Sequence, residues 1–341
     1  MPAHFTHLIF AEEALLAALG STGKEVLKSF GNLFRFGAQG PDFFYHNQSS
    51  RPTGLKYGSI IHRWGYGQLV GNMALQARRN KVAPVSSVNA FILGFATHAP
   101  LDRYTHPFIN YFSGWVSPID RESRQYFRCH PFLERIIDVL MLKRRRQIEP
   151  MDFDFFSLID CGPALAYPIL KLLLKSLHAT YPGVHFKSRD RRRIENAYRD
   201  AIFFYRVTDH RRPEYRRMAW EMDQQDSSDI KRLALFHPLE IEDDIDFLNL
   251  NKAEWLHPCY KELRSTSSFP ELYDKAKEET VVILKSLWQS LASGASPEKA
   301  VKKISNASLD SGRDDRGRCN RKYSSPLPLK RLIDQLYSRY N

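Results

Sequence analysis

Three side chains able to bind a metal recur at four-residue intervals between Phe91 and Ile109. They are His98, Asp102 and His106, in the otherwise largely apolar segment FILGFATHAPLDRYTHPFI. On a helix each step of four advances about 400° and about 6 Å, so the three lie on one stripe. Imidazole and carboxylate are ordinary zinc ligands, and an i, i+4 pair is a common helical donor set. Any one such residue is more often a satisfied core group. Three in register amid Phe, Ile and Leu shift the balance toward a metal, because a buried carboxylate needs a partner. Pro107 is expected to end the regular helix just beyond His106.

Further donors surround this stripe. Of the 12 histidines, seven precede residue 131. His7 lies near the start of the first predicted helix, Asp42 in the turn Gly37-Ala38-Gln39-Gly40-Pro41-Asp42, and His62 on a helix beginning near Tyr57. His130, Glu134 and Asp138 form a second ladder at four-residue spacing. Singly, His7 reads as a surface residue, Asp42 as a turn former, His62 as an aromatic packed beside Trp64 and Glu134 as a helix-surface charge. Together with the stripe they exceed what one zinc can use. His46 and Asp138, four residues after Asp42 and Glu134, are candidates for orienting those ligands, with surface or packing roles equally open. His178, His185, His210, His237 and His257 have no partner at ligand spacing and are read as structural.

The elements that must carry these residues are helical. Apolar spacing predicts helices over 5–19, 24–35, 58–80, 86–99, 121–146, 157–180, 190–209, 211–235, 270–292 and 327–340. Two-residue alternation is nearly absent, so no sizeable sheet is expected. Ser296-Pro297-Glu298 reads as a helix start with Ser as N-cap. The polar, Gly- and Arg-containing stretch 305–326 is expected to be loosely ordered. The division is one all-α multi-helix domain over 1–295 and a basic C-terminal extension over 296–341.

The 341 residues, 43% of them hydrophobic, suffice for a substantial core. The formal charge of +12 and a pI near 9.5 imply anionic company: nucleic acid, phosphoester or an acidic membrane surface. Much of the excess sits at 143–146, 189–193 and 211–217, where solvated helix faces are the commoner explanation. Cys129, Cys161, Cys259 and Cys319 show no close pairing, which favours reduced thiols. Glu12 and Glu13 interrupt the apolar N-terminal run, arguing against a signal peptide, and no stretch is apolar enough to span a bilayer. A cytoplasmic protein, peripheral at a membrane at most, is expected.

The order of these residues resembles the zinc-dependent phospholipase C family, whose fold is shared with single-strand-specific zinc nucleases. The matching pieces are Pro2 with Thr6-His7, the 37–44 loop, Ile61-His62, the core from Leu93 to Pro107, and His130-x3-Glu134. The resemblance implies an all-helical domain holding up to three zinc ions. Asp42, His62 and His98 would hold one, with Asp102 bridging to a second. That second ion would also take His7 and the terminal residue, here Pro2 after removal of Met1. His106, His130 and Glu134 would hold the third.

Such a cluster activates water at neutral pH. A bridging hydroxide would attack a phosphodiester in line while the third ion stabilises the leaving alkoxide. Asp42 is the candidate catalytic carboxylate, orienting or deprotonating the water. The expected function is phospholipase C-like hydrolysis of a phospholipid or other phosphodiester. A nuclease or nucleotidase on the same site is the alternative enzyme, favoured if the arginine clusters line the cleft. Phe43, Phe44, Tyr45 and Trp64 could stack a base or pack acyl chains. A zinc-stabilised basic protein that binds an anionic membrane or partner is the non-catalytic alternative.

Overall fold

The computed structural model describes residues 4–184, 188–226 and 230–339. The chain runs α1 (His4–Ala38), α2 (Leu55–Arg63), α3 (Tyr66–Arg79), α4 (Ser87–Ser113) and α5 (Cys129–Arg146). It continues through α6 (Phe155–Ile159), α7 (Tyr167–Thr180), α8 (Asp190–Val207) and α9 (Pro213–Gln225). After a hairpin of β1 (Trp255–His257) and β2 (Tyr260–Ser265) come α10 (Phe269–Ser293), α11 (Glu298–Ile304) and α12 (Leu329–Ser338). The architecture is all-α as expected, and among the described residues the hairpin is the sole sheet, pairing Trp255 with Ser265 antiparallel.

The organising element is α4, about 40 Å long at 1.5 Å per residue. It packs most extensively on α1 and α10 and is buried almost throughout, because its apolar residues cover every side rather than one stripe. Phe91 and Phe95 join a core built with α1, α3, α7 and α8. Leu101, Phe108 and Ile109 join a second core with α5, the hairpin, α10 and α12. The α1 and α4 backbones meet at Gly94, where a Cβ would lie 2.0 Å from Phe34 O, so no larger residue fits.

Several boundaries differ from the sequence expectation. Pro107 does not end α4, which runs through both Pro100 and Pro107 to Ser113. Each proline removes one ladder bond, but burial on all sides outweighs a local loss of about 3 kcal/mol. The expected 5–19 and 24–35 helices abut in α1, whose backbone leaves helical values at Gly20 and Phe30. The 121–146 segment splits at Arg128 (φ 66°), 157–180 splits around Gly162, and 211–235 keeps only α9 and a short 3₁₀ turn. Pro297, rather than Ser296, caps α11, while Ser296 Oγ still accepts from Glu298 N at 3.3 Å.

The C-terminal segment also differs. Residues 305–326 form no regular element, yet Leu309 is fully buried and the stretch is pinned by backbone bonds: Leu309 N to His62 O (2.8 Å), Lys322 N to Pro258 O (2.7 Å) and Ser325 N to Tyr111 O (3.0 Å). Composition cannot reveal such order, because the partners are distant in sequence. The same approach corrects the cysteine reading: Cys259 and Cys319, 60 residues apart, are disulfide-bonded with Cα atoms 5.7 Å apart. Cys129 and Cys161 are free thiols. No helix among the described residues is long and apolar enough to cross a membrane.

Candidate metal centre

The helical stripe meets the Gly-Pro turn at Gly40, whose φ of 55° opens the path into the 3₁₀ turn carrying Asp42. A Cβ at Gly40 would lie 2.2 Å from the His98 ring, so glycine lets the loop close over the imidazole. Asp42 and Asp102 thereby face one another across His62 and His98. Asp42 Oδ1 lies 3.1 Å from His62 Nε2 and 3.6 Å from His98 Nε2. Asp102, wholly buried, places Oδ2 3.1 Å from His98 Nε2 and 3.9 Å from His62 Nε2, and Oδ1 3.2 Å from His7 Nε2.

The other ring nitrogens lie against backbone carbonyls. His62 Nδ1 donates to Gly58 O at 2.7 Å and His98 Nδ1 to Ala38 O at 3.2 Å. A carbonyl only accepts, so in the neutral rings both Nε2 atoms carry lone pairs aimed at carboxylate oxygens. Lone pair against carboxylate at 3.1 Å repels unless a cation lies between. The oxygens of Asp102, Asp42 Oδ1 and His98 Nε2 make no hydrogen bond, which is costly in a buried place. This donor set fits zinc, and the backbone carbonyls behind the histidines are the usual support for metal-ligating imidazoles.

Burial opposes ionisation of Asp102, but the surrounding His98 and His7 hold its carboxyl well below the usual range. Burial and the neighbouring His98 lower His7 and keep it available as a neutral donor. Burial pulls His62 down, but Asp42, Asp310 and Asp102 together shift it upward.

A second group lies beside the first. His130 Nε2 is 2.8 Å from Glu134 Oε1, and the His106 and His130 rings are 5.5 Å apart. Burial pulls His106 well below its ordinary range and lowers His130 despite Glu134. The combinations His7/Asp42/His98, His62/His98/Asp102 and His106/His130/Glu134 each place donor atoms within 4.8 Å of one another. Every expected ligand among the described residues is therefore brought together. Pro2 lies outside the described residues, as does His185.

The two expected orienting residues behave differently. His46 stacks on Phe204 at 4.1 Å beside His4 rather than on Asp42, whose partners are His62 and His98. Asp138 does not support Glu134. It accepts from the Phe5 and Thr6 amides at 2.9 Å each and from Thr6 Oγ1 at 2.6 Å, and it meets His237 Nε2 at 2.8 Å. It thus fixes the segment that leads into His7, and His237 serves that structural role with it. His210 meets Pro150 O, His257 meets Ser311 O, and the half-exposed His178 lies 3.9 Å from Asp190.

Sequence reasoning missed three participants. Asp310 Oδ1 lies 3.6 Å from His106 Nδ1, and Leu309 O is 3.2 Å from the same nitrogen. Arg135, buried in α5, meets His4 Nδ1 at 2.9 Å. No spacing signal links Asp310 to residues some 200 positions earlier.

An open pocket of about 370 Å³ gives onto His62, His106 and His130, walled by Tyr45, Asp310 and Arg321 among others. The arginine clusters do not line it. Arg145 and Arg146 pair with Glu13 and Glu12, Arg193 with Asp190, and Arg211 with Asp154 and Asp209. Phe43 and Phe44 are wholly buried and Trp64 packs on Tyr181, leaving Tyr45 as the one expected aromatic at the pocket.

A family model described as zinc dependent phospholipase C matches residues 6–182, just over half of the chain. That span contains all eight described ligand candidates and excludes Asp310 and His237. No curated protein and no solved structure matches.

Proposed function

The chain belongs to the zinc dependent phospholipase C family, and from that premise we propose that it is a zinc-dependent hydrolase that cleaves a phosphodiester, most favourably of a phospholipid. The observation that carries this reading is the convergence of His62 Nε2 and His98 Nε2 on Asp42 and Asp102 in a buried site, with both Nδ1 atoms against backbone carbonyls.

In this reading Asp42, His62 and His98 would hold one zinc. Asp102 and His7, with Pro2 as the terminal residue, would hold a second, and His106, His130 and Glu134 would hold a third. Bound zinc supplies Lewis acidity and lowers the pKa of water, so that a nucleophile exists at neutral pH. The chain's own groups do the positioning. Asp42 borders the ligand cluster and orients the attacking water. Arg128 and Arg321 on the pocket wall attract the ester's negative charge, and Tyr45 offers a hydroxyl to a phosphoryl oxygen. Within the basic extension from residue 296, Leu309, Asp310 and Arg321 complete the site's surroundings, Leu309 and Asp310 abutting His106.

A nuclease or nucleotidase is the second reading, supported by Tyr45, Trp115 and Tyr126, which line the same pocket and could stack a base. The discriminating experiment measures zinc per chain together with initial rates on phosphatidylcholine micelles and on single-stranded DNA. Near three zincs on a chain beginning at Pro2, with lipid cleaved faster, is the expected result. Asp42→Asn should lower kcat by about 100-fold or more. Zero or one zinc would overturn the trinuclear mechanism.

A further inference from the structure

The connection from Gly114 to Arg128, between α4 and α5, carries more exposed apolar surface than a loop needs. Ile119 at its tip is 97% exposed, Val116 44% and Phe127 42%, with Pro118 also exposed. Scattered single apolar residues on a surface mean little, but several on one short loop beside a substrate pocket are informative.

The loop is built, not slack. Ser117 and Asp120 pair across its tip, and Ser117 N donates to Ser123 Oγ at 2.8 Å. Asp120 Oδ1 accepts from Glu122 N at 3.0 Å, which occupies that carboxylate within the turn. A 3₁₀ turn over Glu122–Tyr126 follows, and Phe127 N closes on Arg124 O at 3.0 Å. Such internal bonding lowers the backbone ordering cost of binding at the tip.

Half-buried Trp115 and Tyr126 form the adjoining pocket wall with Arg128, while Arg121 and Arg124 are exposed on the same connection, as are Asp120 and Glu122. Exposed apolar residues, amphipathic aromatics and guanidinium groups gathered on one connection are the residue types suited to the acyl, interfacial and phosphate regions of a bilayer. Arg128 and the neighbouring Arg321 also face the pocket, so guanidinium groups continue into the site.

We propose that the 114–128 loop is a membrane-seating surface that dips Ile119 into the interface of an anionic phospholipid bilayer and presents a headgroup to the pocket beside it. The proposal rests on the phospholipid reading of the site. Its partner is the lipid surface itself, and docking of another protein is an outcome of the test.

The experiment compares wild type with Ile119→Asp and with Arg121→Glu/Arg124→Glu. Sedimentation is measured with vesicles of pure phosphatidylcholine and with vesicles of equal parts phosphatidylcholine and phosphatidylglycerol. Hydrolysis is followed in parallel on a soluble, monomeric phosphocholine ester. Ile119→Asp should weaken binding to both vesicles about tenfold, and the double variant should abolish the preference for the anionic ones. Neither should change kcat/KM on the soluble ester, since Ile119, Arg121 and Arg124 do not line the pocket. Vesicle binding by Ile119→Asp equal to wild type, or wild-type binding to a protein but to no vesicle, would overturn the proposal. Loop-dependent vesicle binding with no hydrolysis of any ester would leave the membrane surface standing and refute the enzymatic reading instead.

Discussion

Asp102 Oδ2 faces His98 Nε2 at 3.1 Å from one helical turn below, while His98 Nδ1 is committed to Ala38 O on the neighbouring helix. With Nδ1 so placed, Nε2 is the nitrogen turned toward a fully buried carboxylate. That relationship makes the pair dependent on a cation.

Metal removal should be destabilising as well as inactivating. Chelation leaves buried Asp42 and Asp102 without the cation that offsets their charge beside the His62 and His98 rings. Unfolding followed by circular dichroism with and without a chelator should show a loss of about 3–5 kcal/mol, reversed by added zinc. Unchanged stability after verified zinc loss would contradict this account.

Gly40→Ala tests the loop that closes on His98. The new methyl meets the ring at 2.2 Å, and φ at 55° disfavours alanine. We expect about 2–4 kcal/mol lost and zinc content reduced. Full zinc binding by a stable variant would show that the turn can shift without cost.

Asp138→Ala leaves two amide donors, the Thr6 hydroxyl and His237 without their acceptor. A cost of about 2–4 kcal/mol follows from several donors stranded at once. Because the displaced segment carries His7, zinc per chain should fall, whereas Asp138→Asn should retain more of both. Equal zinc content in all three proteins would confine Asp138 to stability.

Glu13 gives a pH dependence away from the metal. Burial alone would raise its pKa, but the hydrogen bond and charge of Arg145, with Lys277 nearby, bring it below the ordinary 4.5. A carboxyl depressed in the folded state stabilises above its unfolded pKa and loses that contribution as pH falls through the folded value. Glu13→Gln should thus cost about 0.5–1 kcal/mol near neutrality, a modest figure because the pair is partly solvent-screened. The difference from wild type should vanish at pH values well below 4.5. Denaturant unfolding of both proteins across that range supplies the check, and a pH-independent difference would implicate packing instead.

Much was legible in residue order alone. His98, Asp102 and His106 share a stripe because a helix repeats every 3.6 residues, and His130 and Glu134 obey the same local geometry. Gly40 with Pro41 marked the turn that carries Asp42, whereas Gly37 and Ala38, read as part of that loop, belong to α1, where Gly37 packs against the α4 backbone. All-α architecture followed from apolar periodicity, which needs no long-range information. Tertiary structure alone decided the contacts that cross the chain. Pro107 stays inside α4 because burial from α1 and α10 outweighs a local bond. Cys319 reaches Cys259, and Asp310 reaches His106, because the C-terminal segment is laid across the hairpin and α4 by backbone bonds. Periodicity reports which face of an element is apolar, and it is silent on which distant segment will cover that face.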